Sequence, residues 1–449
     1  MEARYDAAII GGGVGGLATG ALLANAGERV VVLEKGNQLG GRAYTYVDQG
    51  FVLNYGAHAM YRVHSGTLAQ VLKRLGRPLI PAPYPNPRLA YFALDGRWGR
   101  LGTMPHHLLG SSLLPAGSKL TLLSFLGRLR LMDPEKLGEA TLGKWLEERV
   151  GDPLVRRFVL GLAGVNTYTR PSAGLSARFF VRHLKRTLFA RDYVGYMSGG
   201  WSTMYDAFAA TIRERSGEIV TGAAVERLVV QGGRAVAALA NGARYEAGAF
   251  VVTTPPQQTP DLAEDGSALR YELERWRGSS DARALCIDLG FSHRLRTDLT
   301  FINDIDRDLY FSLHSEVTPD LAPPGGQLLH AMAYLSPEEA DDERLRAGRE
   351  RKLEDGLDRF FPGWREAAVV ERRLPRAQVT TIRQTPEQQG SARLPARSSA
   401  VPNVYFAGDG RDLPYNLTEV CLAAAMEVAD LIVAETPPVA RREAVVAST

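Results

Sequence analysis

Residues 7–34 read AAIIGGGVGGLATGALLANAGERVVVLE, and the fold follows from this stretch. The apolar run 7–10 suits a buried strand. LATGALLANAG is a helix rich in Ala and Leu that stops at Gly27. Residues 29–33 (RVVVL) form a second strand closed by Glu34. The three pieces make a β-α-β unit of about 30 residues. Between first strand and helix, Gly11, Gly13 and Gly16 fit G-x-G-x-x-G. Gly11 turns the chain off the strand, Gly13 lets a diphosphate approach the backbone, and Gly16 lets the helix pack on the sheet. The N–H groups around Val14 and Gly15, at the positive end of the helix, then receive the anion. Glu34, about 20 residues on, can accept from a ribose diol and would repel a 2′-phosphate. This unit implies a dinucleotide but does not separate NAD from FAD.

The chain of 449 residues is long enough for two domains, or two plus an insertion. With 45% hydrophobic and 23% charged residues it is an ordinary globular sequence, which excludes disordered and fibrous classes. The net charge of +3, from 53 basic and 50 acidic residues, argues against nucleic acid as partner. Cys286 and Cys421 match no metal spacing and read as buried small apolar residues, so no metal is expected. The N-terminus enters a strand at once without a signal-peptide pattern, and no apolar run approaches the roughly 20 residues of a spanning helix. The expected location is cytoplasmic, with a peripheral position on the inner face of a membrane as the alternative.

Outward from the opening unit, residues 37–60 read as an extended loop and 65–75 as a helix. Residues 76–98 suggest strands and turns, and 101–190 are mostly helical. Within these, LGTMPHHLLGSSLLPAGSKLTLLSFLGRLRL is apolar with scattered basic residues; it reads as a helical lid or core that could also touch a membrane surface. A helix follows Gly199-Gly200-Trp201, then short strands to residue 260. Residues 283–335 alternate as the sheet of a second domain, 337–360 are one charged helix, and 401–435 give a strand (VYFAG), a turn and a closing helix.

Beyond Glu34-Lys35, Gly40-Gly41-Arg42 resembles the G-G-R signature of the FAD-dependent amine oxidase and phytoene desaturase superfamily. In that family the Arg lies near the diphosphate, which its fixed donors suit. Asn403 to Asp409 (NVYFAGD) resembles the family's closing motif, whose Asp accepts from cofactor hydroxyls or nearby backbone. The helix after it, entered through Leu417 and Thr418, points its N-terminus at the flavin end. Ala224-Val225-Glu226 matches a strand whose Val backbone contacts adenine in relatives. Asn54-Tyr55-Gly56-Ala57-His58 lies where relatives approach the ring.

The resemblance implies an α/β fold: a Rossmann-like FAD-binding domain of the glutathione reductase type with a discontinuous α+β substrate domain. The expected boundaries are 1–75, 195–260 and 395–449 for the FAD domain, and 76–194 and 261–394 for the substrate domain. The expected cofactor set is Gly11, Gly13, Val14, Gly15, Gly16, Glu34, Lys35, Gly40, Gly41, Arg42, Gly56, Ala57, His58, Val225, Gly408, Asp409, Leu417 and Thr418.

The closing segment is most similar to squalene- and phytoene-type desaturases. Glu419 matches their Glu, whereas Val420 and Cys421 replace a Gly-Ala pair and Tyr415-Asn416 add bulk. The resemblance implies hydride removal from a hydrophobic small molecule, isoprenoid being one candidate, to flavin N5. An amine or protoporphyrinogen-type oxidase and a non-redox flavoprotein such as an isomerase are the alternatives. The flavin-side lysine of the amine branch has only Lys185 or Lys352 as candidates. No catalytic residue stands out. His58, as acid, base or orienting group, and Tyr415, as base or pocket wall, are the two candidates. The other histidines, His106-His107 included, read as solvated surface residues. The oligomeric state is not legible.

Overall fold

A computed structural model describes residues 4–56, 58–101, 107–187, 190 and 192–435. The chain begins β1 (Arg4–Ile10), α1 (Val14–Asn25) and β2 (Val30–Leu33). Next come β3 (Thr45–Asp48), β4 (Phe51–Asn54), β5 (Met60–Tyr61), α2 (Thr67–Arg74), β6 (Ala90–Leu94) and β7 (Arg97–Arg100). A helical layer follows: α3 (His107–Gly110), α4 (Ala116–Leu131), α5 (Leu142–Arg149), α6 (Pro153–Thr167) and α7 (Ala177–Thr187). Then come β8 (Val194–Gly195), α8 (Ser202–Glu214), β9 (Glu218–Val220), β10 (Val225–Gln231), β11 (Arg234–Ala240), β12 (Ala243–Val252) and α9 (Ala268–Leu273). The last part holds β13 (Ala282–Phe291), β14 (Phe301–Asp304), β15 (Leu309–Leu313), β16 (Gln327–Leu335), α10 (Pro337–Asp341), α11 (Glu343–Phe360), α12 (Trp364–Ala367), β17 (Ala368–Thr380), β18 (Val404–Phe406) and α13 (Thr418–Glu435).

Two seven-stranded sheets organise these elements. The first has the order β10-β11-β12-β1-β2-β9, with β18 paired to β12. Its centre is parallel: β1 lies between β12 and β2, and β18 runs parallel to β12. Strands buried on both faces need near-continuous apolar sequence, which AAII and VVVL supply. α1 covers this sheet and is buried over almost its whole length. Its small residues allow that: a Cβ on Gly20 would meet Val32 and Ile212 side chains at 3.0 and 3.1 Å. Burying Leu17 and Leu23 fully contributes about 1.5–3 kcal/mol each.

The second sheet has the order β17-β13-β16-β15-β14-β6-β7, antiparallel except for the β14–β6 pair. α11 and Trp364 pack on one face. The other presents Ala284, Cys286, Met332 and Tyr334. The helical layer packs on β6 through Phe92 and Leu94, against Phe158, Phe180 and Leu184.

Four sequence expectations change. Residues 37–60 are not simply a loop, since β3 and β4 form a hairpin. Gln49 and Gly50 both take positive φ at its turn (47° and 83°), a conformation Gln signals poorly. The charged helix 337–360 is broken at Asp342, whose side chain accepts from Leu345 N and so caps α11. β17 extends the second sheet beyond the 283–335 segment that the sequence marks, and it contains Pro375. The proline sits at a register shift, between the pairs Cys286–Leu374 and Ala284–Ala377, where no ladder donor is needed. His183, His314 and His330 are fully buried rather than solvated. His106 and Ala57 lie outside the described residues.

Candidate functional site

The parallel strands β2, β1, β12 and β18 end together, and a cavity of about 670 Å³ opens at their carboxyl ends. That is where open α/β sheets bind ligands. At the turn after β1, Gly11 has φ +109°, and a Cβ on Gly16 would fall 1.9 Å from Gly11 O. Gly16 therefore seats α1 on the turn and does not line the cavity. At Gly13 the opposite holds: a Cβ there would meet nothing within 4 Å, because the position faces the void. Glu34 accepts from Gly12 N at 2.6 Å and Gly36 N at 2.8 Å, fixing the rim while keeping lone pairs for a hydroxyl.

The two glycine-rich segments lie directly on each other. Gly40 N donates to Gly12 O at 2.9 Å, and a Cβ on Gly41 would sit 3.3 Å from Gly13 Cα. The closing segment completes the ring: a Cβ on Gly15 would lie 3.3 Å from Gly408. Arg42 and Asp409, 367 residues apart, form a two-pronged pair at 2.9 and 2.6 Å. Asp409 also accepts from Thr381 N and Oγ1, both at 2.9 Å. Burial opposes ionisation of this carboxyl, but Arg42 and Thr381 outweigh it and hold the group below the usual carboxylate range. Its oxygens take four protein donors, so Asp409 acts by holding Arg42 instead of offering an open acceptor. Arg42 still shows 34% of its side chain.

Gly11, Gly13, Val14, Gly15, Glu34, Lys35, Gly40, Gly41, Arg42, Gly56, His58, Val225, Gly408, Asp409, Leu417 and Thr418 all line the one cavity. His58 places each ring nitrogen 3.0 Å from a carbonyl oxygen, Nδ1 at Gly56 and Nε2 at Arg42, with its edge on Trp201. Burial pushes the imidazole down to about 4, so it is neutral at pH 7 and its single N–H donates to one of these two carbonyls. Tyr415 does not line the cavity; its ring is covered by the Arg186 guanidinium, 4.4 Å from the centroid. Asn416, one residue on, lines it instead.

The sequence reading missed the far end of the cavity. Cys286, Met332 and Ala377 come from the second sheet, Tyr61 and Tyr168 from elsewhere, and Glu419 and Cys421 from α13. Only long-range pairing brings them together. Burial raises both thiols, Cys421 up to about 12, so they stay protonated apolar walls. Lys185 donates to Met132 O and Lys352 is exposed; neither lines the cavity. Among the described residues no cluster of His, Cys, Asp or Glu could hold a metal.

The sequence profile of flavin-containing amine oxidoreductases matches residues 14–433. The chain belongs to that family. That family is one of flavin-containing oxidoreductases, and FAD is its cofactor. The open space at Gly13, the ring of glycines and the partly exposed Arg42 fit the diphosphate of that cofactor. The enzyme is 39% identical over 69 residues to all-trans-retinol 13,14-reductase of Rattus norvegicus, a match covering 15% of this chain and 11% of that protein. It is 23% identical to the chloroplastic prolycopene isomerase of Arabidopsis thaliana, over 91% of this chain and 79% of that one. A crystal structure of an oxidoreductase from Methanosarcina mazei superposes with a TM-score of 0.79, at 20% identity, covering 95% of this chain and all of that one.

Proposed function

We propose that the enzyme desaturates a hydrophobic small molecule, isoprenoid chains being the favoured class. The observation that carries this reading is the apolar end of the cavity, where Cys286, Met332 and Ala377 face Tyr61 and Tyr168. Gly11, Gly13, Gly15, Gly40, Gly41 and Arg42 would hold the diphosphate. Glu34 would take the ribose, Lys35 and Val225 would lie at the adenosine end, and Gly56, Leu417 and Thr418 would lie by the ring. When bound, FAD supplies the acceptor for a hydride leaving carbon. The protein's part is to grip an apolar chain, keep water away from it, and leave no nucleophilic thiol or charged imidazole beside it. No lysine except Lys35 lines the cavity among the described residues, which weighs against the amine branch. The long alignment with a prolycopene isomerase supports a second reading, isomerisation of a polyene at the same site. Anaerobic incubation with polyene precursors tests both. Desaturation bleaches the flavin and gives a product lacking two hydrogens. Isomerisation gives a product of unchanged mass. Neither product with any apolar precursor overturns the proposal.

The two-part domain division at 76, 195, 261 and 395 belongs to the same proposal. So does a cytoplasmic enzyme that visits the inner face of a membrane. No helix of the described residues is long and apolar enough to cross one. α4 supports a surface contact. It buries Leu122, Phe125 and Leu129, yet exposes Leu120 (70%) and Leu131 (88%) on its outer side. Lys119, Arg128 and Arg130 flank that stripe, and no acidic residue occurs in 116–131.

A further inference from the structure

At the flavin end, the entry to α13 carries two buried oxygens without a hydrogen-bond partner: Asn416 Oδ1, just before the helix, and Glu419 Oε2, in its first turn. Each side chain is fixed by its other half. Asn416 Nδ2 donates to Asn166 O at 2.7 Å, which settles the amide orientation and leaves Oδ1 as a bare acceptor. Glu419 Oε1 accepts from Arg186 Nη2 at 2.7 Å. Glu419 N donates to Asn416 O at 3.1 Å, so both residues belong to one turn. Both residues line the cavity, and both are buried to 1% exposure or less. Arg186 Nη1, on the guanidinium that anchors Glu419, is a buried donor that also lacks a partner. Buried polar groups are rarely left so, and two bare acceptors on one turn of the cavity wall mark a place built for a donor.

We propose that Asn416 and Glu419 form a specificity subsite for a hydroxyl group, so that the substrate is an apolar molecule bearing an alcohol and not a bare hydrocarbon. A hydroxyl both gives and receives a hydrogen bond. Asn416 Oδ1 accepts from it in every state. Glu419 donates to the hydroxyl oxygen when protonated and competes with Asn416 for its one proton when ionised, and burial raises this carboxyl above its ordinary value against the pull of Arg186. An ether of the same shape has no proton to give and leaves Asn416 Oδ1 bare. A protonated amine would have to sit beside the Arg186 cation. The pair Tyr415-Asn416, the departure from the desaturase pattern noted above, thus places an amide where a hydrocarbon site needs none. The inference rests on the proposed apolar-substrate reading and narrows it.

The test titrates the FAD-loaded enzyme with geraniol, geranyl methyl ether and geranylamine, reading perturbation of the flavin absorbance and not turnover. Geraniol is expected to bind about tenfold tighter than the ether, the worth of one buried hydrogen bond. In Asn416→Leu the ratio should fall toward one with flavin content unchanged. In Glu419→Gln, which keeps an acceptor for Arg186, the preference should shrink. The second variant decides the matter if the first loses its fold. Equal binding of alcohol and ether, tighter binding of the amine, no spectral response to any of them, or an unchanged ratio in the variants would each overturn the subsite. A flavin that no apolar substrate reduces sinks the redox reading but leaves this ratio standing.

Discussion

At the scale of single residues, the Arg42–Asp409 pair ties the loop after β2 to the segment before α13 and, through Thr381, to the end of β17. Removing its charge leaves Arg42 with a weaker partner. Asp409→Asn is expected to destabilise the protein by on the order of 2 kcal/mol, less than for a fully buried pair because Arg42 is partly exposed. It should also lower FAD retention. Urea unfolding and flavin content measure the two effects; a variant with unchanged midpoint and full flavin would remove the pair from the account. Because the folded carboxyl lies below its ordinary value of 3.8, its contribution is present above that pH and fades as acid titrates the folded group. Gly13 and Gly41 were legible from their motifs, since the chemistry they serve sits within a few residues. That Asp409 is saturated by protein donors was not, because Thr381 reaches it only through β17.

Among the elements, α4 offers the clearest test. If its outer stripe meets lipid, Leu120→Asp with Leu131→Asp should abolish co-sedimentation with anionic vesicles while leaving flavin content intact, because both side chains are exposed. Arg128→Glu should weaken binding more at low salt than at high salt. Wild-type protein that ignores both anionic and neutral vesicles would contradict the surface contact. The same scale shows where sequence reading stops. α1 and α13 are visible as Ala- and Leu-rich runs with glycine or Gly-Asp at their fronts. The β3–β4 hairpin is hidden by a Gln in its turn, and β17 by a proline that the bulge accommodates. Local rules mark an element only when its turn residues are ordinary ones.

In the whole molecule, several buried imidazoles make stability depend on pH. His58 and His183 are held neutral by burial, at about 4 and about 3, and His314 lies well below its ordinary 6.5. The unfolded chain binds these protons near pH 6.5 and the folded one does not. Stability is therefore complete above that value and declines as the pH falls from about 6.5 toward 4. Thermal unfolding from pH 8 to 5 should show this decline, and His183→Gln should flatten it; a flat wild-type profile would contradict the burial of these rings. The larger architecture joins residues between Ile10 and Tyr61 to residues between Gly408 and Cys421 around one void, a closure that the two end motifs foreshadow. The apolar floor from Met332, Cys286 and Ala377 depends on the register of β13 with β16 and β17, which no local pattern encodes.

The central claim is that this void holds FAD with its diphosphate at Gly13. A side chain there would meet only empty space in the protein, so Gly13→Val can fold yet must occupy the cofactor's place. The deciding measurement is the ratio of FAD to protein in purified wild type and Gly13→Val, with circular dichroism as the check on folding. The account predicts near-stoichiometric FAD in wild type and almost none in a well-folded variant. Equal flavin content in the two would contradict it.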